Sequence, residues 1–144
     1  MRPATRSPAQ GTTGWAASRP STSAPLPQKL GIKDGARVRL AGAPDGFARS
    51  IGVVPRPRGE ADVIVLFTKR AADLERGFSR LRKSLHPSGG LWIAWPKKAS
   101  GVDTDLDEGA VRRIGLASGL VDNKVCAIDD TWSGLRFVVR LADR

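Results

Sequence analysis

Residues 84–98 read SLHPSGGLWIAWPKK, and this stretch decides the fold. Pro87 and the two consecutive glycines that follow end a helical pattern, because these residues interrupt a helix. The apolar run at residues 91–95 then has the length and composition of a buried strand, and Lys97 and Lys98 follow it. A helix, a turn and a buried strand in this order are typical of an α/β unit, in which ligands bind beyond the carboxyl ends of the strands.

The same alternation of elements extends to both sides of this stretch. The predicted strands cover residues 37–41, 61–67 and 91–95, and the predicted helices cover residues 71–85 and 105–121. Residues 124–129 and 135–140 are predicted to form a closing hairpin. The sequence therefore predicts an α/β domain with a reduced Rossmann-like, mostly parallel sheet of about five strands and a C-terminal antiparallel hairpin.

Composition divides the chain near residue 26. Residues 1–25 hold three arginines, no acidic residue and many Ser, Thr, Pro, Gly and Ala residues, which predicts a disordered basic tail. Residues 26–144 are predicted to form the single Rossmann-like domain. No apolar run is long enough to cross a bilayer, so we expect a cytoplasmic protein without a membrane partner.

The net charge of +10 is unevenly distributed. Most of the positive excess precedes residue 99, whereas residues 99–144 carry eight acidic and six basic residues. A cationic surface attracts nucleotides, nucleic acid or acidic protein partners. The charge pattern therefore indicates an anionic partner without identifying its class.

Five residues near the predicted strand ends form a candidate ligand site. Asp45 follows the first strand, Lys69 the second, Lys97 and Lys98 the third, and Trp132 lies in the closing hairpin. Because the carboxyl ends of parallel strands meet at one edge of a sheet, these residues are expected to converge there. The lysines would neutralise an anion, Trp132 would stack on a ring, and Asp45 would accept a hydroxyl or orient a lysine.

Catalytic and metal-binding patterns are not found in the sequence. The one histidine, His86, is predicted to cap a helix end, and the one cysteine, Cys126, to be a small buried residue. No Walker loop, zinc-ligand spacing or Gly-x-Ser-x-Gly motif is present. We therefore predict no catalytic residue and no metal site, and the sequence identifies no cofactor.

The order of elements at roughly residues 35–140 resembles the later half of class I S-adenosylmethionine-dependent methyltransferases. In that family a hydrophobic–x–Pro–Gly–Gly turn enters the strand that corresponds to LHPSGGLWI at residues 85–93. A second similarity, to a small uncharacterised actinobacterial family of unknown function, rests on LGIK, WPKK, LVDNKVCAID and TWSGL within residues 26–140. The two resemblances imply a Rossmann-like fold and a bacterial cytoplasmic setting.

Two features depart from the methyltransferase pattern. That family cradles its cofactor with a Gly-x-Gly-x-Gly turn, whereas the turn at residues 42–46 is GAPDG, with Pro44 lacking a backbone N–H. The family also needs an acidic residue after its second strand, and here that region, residues 52–60, is interrupted by Pro55 and Pro57. These departures favour a non-catalytic binding or regulatory module for an anionic small molecule or nucleotide.

Alternative functions stay open at this point. A degenerate transferase that uses S-adenosylmethionine or a nucleotide would agree with the resemblance. A nucleic-acid-binding protein would agree with the basic helix and tail. A protein partner would also agree with the charged surface.

Overall fold

The computed structural model describes residues 25–144. The predicted tail at residues 1–25 lies outside the described residues except for Pro25. The four α-helices of the described part are α1 (Leu26–Lys29), α2 (Phe47–Ser50), α3 (Ala71–Leu81) and α4 (Glu108–Ala117). Its five strands are β1 (Val38–Ala41), β2 (Ala61–Phe67), β3 (Leu85–Pro96), β4 (Leu120–Ala127) and β5 (Trp132–Val139). Short 3-10 turns cover Arg82–Ser84, Lys98–Ser100 and Leu141–Asp143.

The strands form one mixed sheet in the order β1-β2-β3-β5-β4. The pairings β1–β2 and β2–β3 are parallel, and the pairings β3–β5 and β5–β4 are antiparallel. The prediction of an α/β fold with about five strands and a closing hairpin is confirmed, but the prediction of a mostly parallel sheet is wrong. The connection between β4 and β5, residues 128–131, is so short that the two strands form an antiparallel hairpin. Strand β5 lies between β4 and β3 and is also antiparallel to β3.

Strand β3 is buried on both faces. On one face Leu91, Ile93 and Trp95 belong to a core cluster that includes apolar residues of α3 and α4. On the other face Trp92 and Ala94 belong to a second cluster that includes residues of α2 and of the segment before β1. Helices and connecting segments therefore cover both sides of the sheet, as in a three-layer α/β architecture.

The segment before β3 differs from its prediction. The helix that begins at Ala71 ends at Leu81 instead of residue 85, and β3 begins at Leu85 instead of residue 91. His86 caps no helix end, because its Nδ1 accepts a hydrogen bond of 3.0 Å from the backbone N–H of Ser88. Proline at position 87 cannot continue a helix, so the chain extends along β2 earlier, with a register shift between the Ala61 and Val63 pairings.

The second predicted helix and the hairpin also have different bounds. Helix α4 is shorter than residues 105–121 because Asp107 forms its N-cap, where Oδ1 accepts a hydrogen bond of 2.8 Å from the N–H of Ala110. The hairpin strands are longer than predicted, since β4 begins at Leu120 and β5 at Trp132.

Among residues 25–144, no helix combines the length and apolar character needed to cross a membrane.

An ion pair joins the starts of β1 and β2. The Arg37 guanidinium donates to Asp62 with distances of 3.1 Å and 2.9 Å, and the Arg37 backbone N–H donates to the same carboxylate at 2.8 Å. These hydrogen bonds, the side-chain ones first, lower the pKa of Asp62 from its ordinary value of 3.8 to about 2. The carboxylate therefore favours the folded state only while it is ionised.

Replacing Asp62 should remove a pH-dependent part of the stability. Because the folded-state pKa lies below the unfolded one, this contribution is present above about pH 4 and is lost as the pH falls toward about 2. We expect Asp62→Asn to lower the free energy of unfolding at neutral pH, and the difference from wild type to shrink over that interval. Urea unfolding measured from acidic to neutral pH tests this.

Asp45→Asn is the matched control, because Asp45 is exposed and makes no side-chain hydrogen bond or ion pair with residues 25–144. Its stability should follow wild type across the pH range. A constant difference between Asp62→Asn and wild type at all pH values would contradict the assignment.

Candidate functional site

A cleft with a volume of about 720 Å³ lies at the carboxyl ends of β1 and β2. One side is formed by the turn after β1, including Gly42 and Pro44. The other side is formed by the residues that follow β2 and by one face of α3. This is the edge of an α/β sheet where ligands bind, and the volume lies within the range of roughly 300–1,000 Å³ that is typical of ligand pockets.

Aromatic side chains form one end of the cleft. The ring of Trp132 meets Phe67 edge-on, with centroids 5.1 Å apart, and Phe67 meets Phe47 in the same way at 4.9 Å. The Asp129 carboxylate accepts hydrogen bonds of 2.8 Å from the backbone N–H groups of Thr131 and Trp132, which holds the start of β5. The half-buried Trp132 ring is therefore fixed in place at the cleft.

Four cations and one carboxylate line the cleft. The cations are Lys69, Arg70, Arg76 and Arg80, and the carboxylate is Asp73. Asp73 forms an ion pair with Arg76, and Arg70 forms an ion pair of 2.6 Å with Asp103 outside the cleft, which raises the pKa of Arg70. Among residues 25–144, no carboxylate lies within 4.0 Å of Lys69 or Arg80. The cleft therefore has an excess of positive charge.

Helix α3 reaches the cleft because it packs closely on β2. A Cβ atom added at Gly77 would lie 2.5 Å from a methyl carbon of Leu66, so a larger residue at position 77 would require the Leu66 side chain to shift. Arg76 and Arg80, which lie four residues apart on the same helical face, are thereby brought to the end of β2. The sequence analysis does not use Gly77, although a glycine within a helical pattern is the signal that could have indicated this arrangement.

The structure brings together two of the five residues that the sequence proposed. Lys69 and Trp132 both line the cleft. Asp45 is exposed in the turn after β1 and lies outside the lining; the N-cap of α2 is its neighbour Gly46. The arginines at positions 70, 76 and 80 line the cleft but were not among the predicted ligand residues.

Lys97 and Lys98 also lie outside the lining of the cleft. The backbone N–H of Lys97 donates a hydrogen bond of 2.8 Å to the carbonyl oxygen of Thr131, and Lys98 is exposed at the start of a 3-10 turn. Trp132 pairs with Pro96 of β3, and its ring reaches across to Phe67 of β2. The aromatic ring thus occupies the end of the sheet next to these lysines.

Comparison with known proteins identifies the fold. No family model matches the chain, and no curated protein matches it either. A putative type 11 methyltransferase from Sulfolobus solfataricus has a similar structure, with a TM-score of 0.56, 16% identity and coverage of 88% of this chain and 95% of that chain. LepI in complex with SAM has a TM-score of 0.51 and 9% identity, with coverage of 80% and 39%.

Magnesium protoporphyrin IX methyltransferase (ChlM) from Synechocystis PCC 6803 has a TM-score of 0.45 and 14% identity. The matched region covers 59% of this chain and 47% of ChlM, so the chain spans less than half of ChlM and of LepI. The chain has the fold of class I S-adenosylmethionine-dependent methyltransferases, which confirms the remote resemblance seen in its sequence. Identities this low establish the fold alone.

The aromatic contact of Trp132 should be measurable as stability. Replacing Trp132 by alanine removes the ring that packs on Phe67, and we expect a loss of about 2 kcal/mol in the free energy of unfolding. Trp132→Phe retains an aromatic ring and should cost less than about 1 kcal/mol. Urea unfolding followed by circular dichroism measures both values. Equal stabilities of the two variants would show that the ring is not held as described.

Proposed function

We propose that the protein is a non-catalytic binding or regulatory module whose cleft takes an anionic small molecule with a planar ring, chemically a nucleotide. The observation that carries this proposal is the position of Lys69 and Arg80, both without a carboxylate partner in the described part, in one cleft with the Trp132 ring. Cations bind phosphate groups, and an aromatic surface can stack on a base.

The proposed roles follow from the chemistry of each side chain. The Lys69 ammonium is a compact charge, and the Arg80 guanidinium offers a planar fork of donors, so together they can neutralise a phosphate chain. Trp132 can stack on a purine or pyrimidine ring, because its position is already held by Phe67. Lys97 and Lys98, which the sequence predicts as ligand residues, lie outside the lining of the cleft and have no role in the proposed binding.

The lining of the cleft favours binding without chemistry. It contains no histidine or cysteine, and its carboxylate, Asp73, is paired with Arg76. The lining thus lacks a histidine, a cysteine and an unpaired carboxylate, which serve most often in acid–base and nucleophilic catalysis. Within residues 25–144, no group of three or more His, Cys, Asp or Glu side chains is arranged to hold a metal ion.

The methyltransferase fold supports a second candidate, a degenerate transferase that uses S-adenosylmethionine. That cofactor carries a positive sulfonium and a positive ammonium group against one carboxylate. Four cations with one paired carboxylate repel such a molecule more than they attract it, whereas they attract a phosphate. The positive charge of the cleft therefore favours binding of a nucleotide over binding of S-adenosylmethionine.

Calorimetric titration of the full chain with ATP, AMP and S-adenosylmethionine tests the proposal. We expect ATP to bind more tightly than AMP, and S-adenosylmethionine to bind weakest, because affinity should follow the negative charge of the ligand. Lys69→Ala and Arg80→Ala should each weaken ATP binding by roughly tenfold or more. Lys98→Ala removes the same charge near the sheet edge but outside the cleft, and should leave ATP binding unchanged.

Three results would overturn the proposal. Tighter binding of S-adenosylmethionine than of ATP would favour the transferase. An equal loss of ATP binding in Lys98→Ala and Lys69→Ala would remove the cleft as the site. If none of the three small molecules binds and a short oligonucleotide binds in a salt-sensitive manner, the nucleic-acid-binding alternative would be favoured.

A further inference from the structure

A second pocket, of about 360 Å³, lies at the opposite end of the sheet, at the amino ends of β1 and β2. The loop at residues 31–36 forms one wall, and the first residues of β3 form another. Arg136 of β5 also lines this pocket. None of these residues lines the cleft at the carboxyl ends, so the two sites are separate.

The Arg136 side chain lies over a glycine of the neighbouring strand. Gly90 of β3 lies beneath the guanidinium, and a Cβ atom added there would be 2.3 Å from Arg136 Nε. Any other residue at position 90 would displace the guanidinium from this position. Gly90 in β3 thus leaves room for a half-buried charged group against the sheet.

Arg136 has no counter-ion within residues 25–144. It takes part in none of the ion pairs and donates no side-chain hydrogen bond in that part of the chain. The preceding residues 1–24 contain no Asp or Glu. Burial lowers the pKa of the guanidinium, and the positive charge of Arg144 lowers it further. An anion bound in the pocket would give this half-buried guanidinium the counter-ion that it lacks within residues 25–144.

The other charged groups of the pocket define which anion fits. Asp62 is already engaged by Arg37, so it does not neutralise Arg136. Lys33 and Asp34 are exposed on the loop that forms one wall. Two carboxylates and two lysine or arginine side chains line the pocket, so their charges sum to zero. Such a pocket repels a singly charged anion less than a doubly charged one.

His86 supplies a further donor. Its Nδ1 accepts the N–H of Ser88 at 3.0 Å, so the neutral imidazole carries its proton on Nε2. The imidazole and Ser88 both line the pocket. The site therefore offers a guanidinium fork, an imidazole N–H and a hydroxyl around one small space.

We propose that this pocket is a second ligand site, which binds the carboxylate group of a small molecule through bidentate hydrogen bonds from the Arg136 guanidinium. Lys33 and His86 assist as further donors, and the fork of Arg136 matches the two oxygens of a carboxylate. The site is independent of the cleft that contains Lys69 and Trp132.

Nuclear magnetic resonance of the ¹⁵N-labelled full chain tests this, with acetate as the probe and orthophosphate as the comparison at constant ionic strength. We expect acetate to shift the Arg136 Nε–H and Ser88 N–H signals saturably, and orthophosphate to bind more weakly. Arg136→Gln should weaken acetate binding, read at Ser88, by roughly tenfold or more. Lys33→Ala should weaken it by a smaller factor.

Two control variants make the test specific. Lys124 lies opposite Arg136 on β4 and outside the pocket, so Lys124→Gln should bind acetate as wild type does. Lys69→Ala should also leave acetate binding unchanged, which separates this site from the cleft. If Arg136→Gln fails to fold, Lys33→Ala decides in its place, because Lys33 is exposed.

The proposal is wrong if acetate causes no saturable shift, or if the folded variant at position 136 binds it as tightly as wild type. Where that variant does not fold, wild-type affinity of Lys33→Ala contradicts the proposal. Tighter binding of orthophosphate than of acetate would overturn the assignment to a carboxylate.

Discussion

Strand β3 contributes side chains to two separate cores, and this burial on both faces organises the molecule. Leu91, Ile93 and Trp95 need cover from α3 and α4, whereas Trp92 and Ala94 need cover from α2 and the segment before β1. The indole N–H of Trp92 donates to the backbone oxygen of Leu30 at 3.0 Å, which satisfies the polar atom of a fully buried ring. A strand buried in this way also needs a hydrogen-bonded neighbour on each side, and β2 and β5 supply them.

Both candidate sites are consequences of that arrangement. Because β5 lies beside β3, its first residue, Trp132, reaches the carboxyl end of β2, where Lys69 and the arginines of α3 gather. The same strand carries Arg136 toward the amino ends of the parallel strands, over Gly90. One antiparallel strand thus contributes an aromatic ring to one candidate site and a cation to the other.

The sequence predicted the elements better than their arrangement. The apolar runs at residues 61–67 and 91–95 reveal buried strands, because a strand covered on both faces has no polar alternation. Hydrophobic periodicity does not specify which strand pairs with which, so the insertion of β5 beside β3 was missed. The sequence predicts Lys98 as a ligand residue because it follows a strand. The cations that reach the cleft are instead determined by how closely α3 packs on β2 at Gly77, which depends on tertiary packing.

The central claim, that the cleft at the carboxyl ends of β1 and β2 takes a nucleotide-like anion, is tested most directly by anomalous diffraction. Crystals of the full chain would be soaked with ATP that carries bromine on its adenine ring. The account predicts a bromine peak beside the Trp132 ring, with phosphate density next to Lys69 and Arg80. A bromine peak elsewhere, or an empty cleft at ligand concentrations that saturate binding in solution, would contradict it.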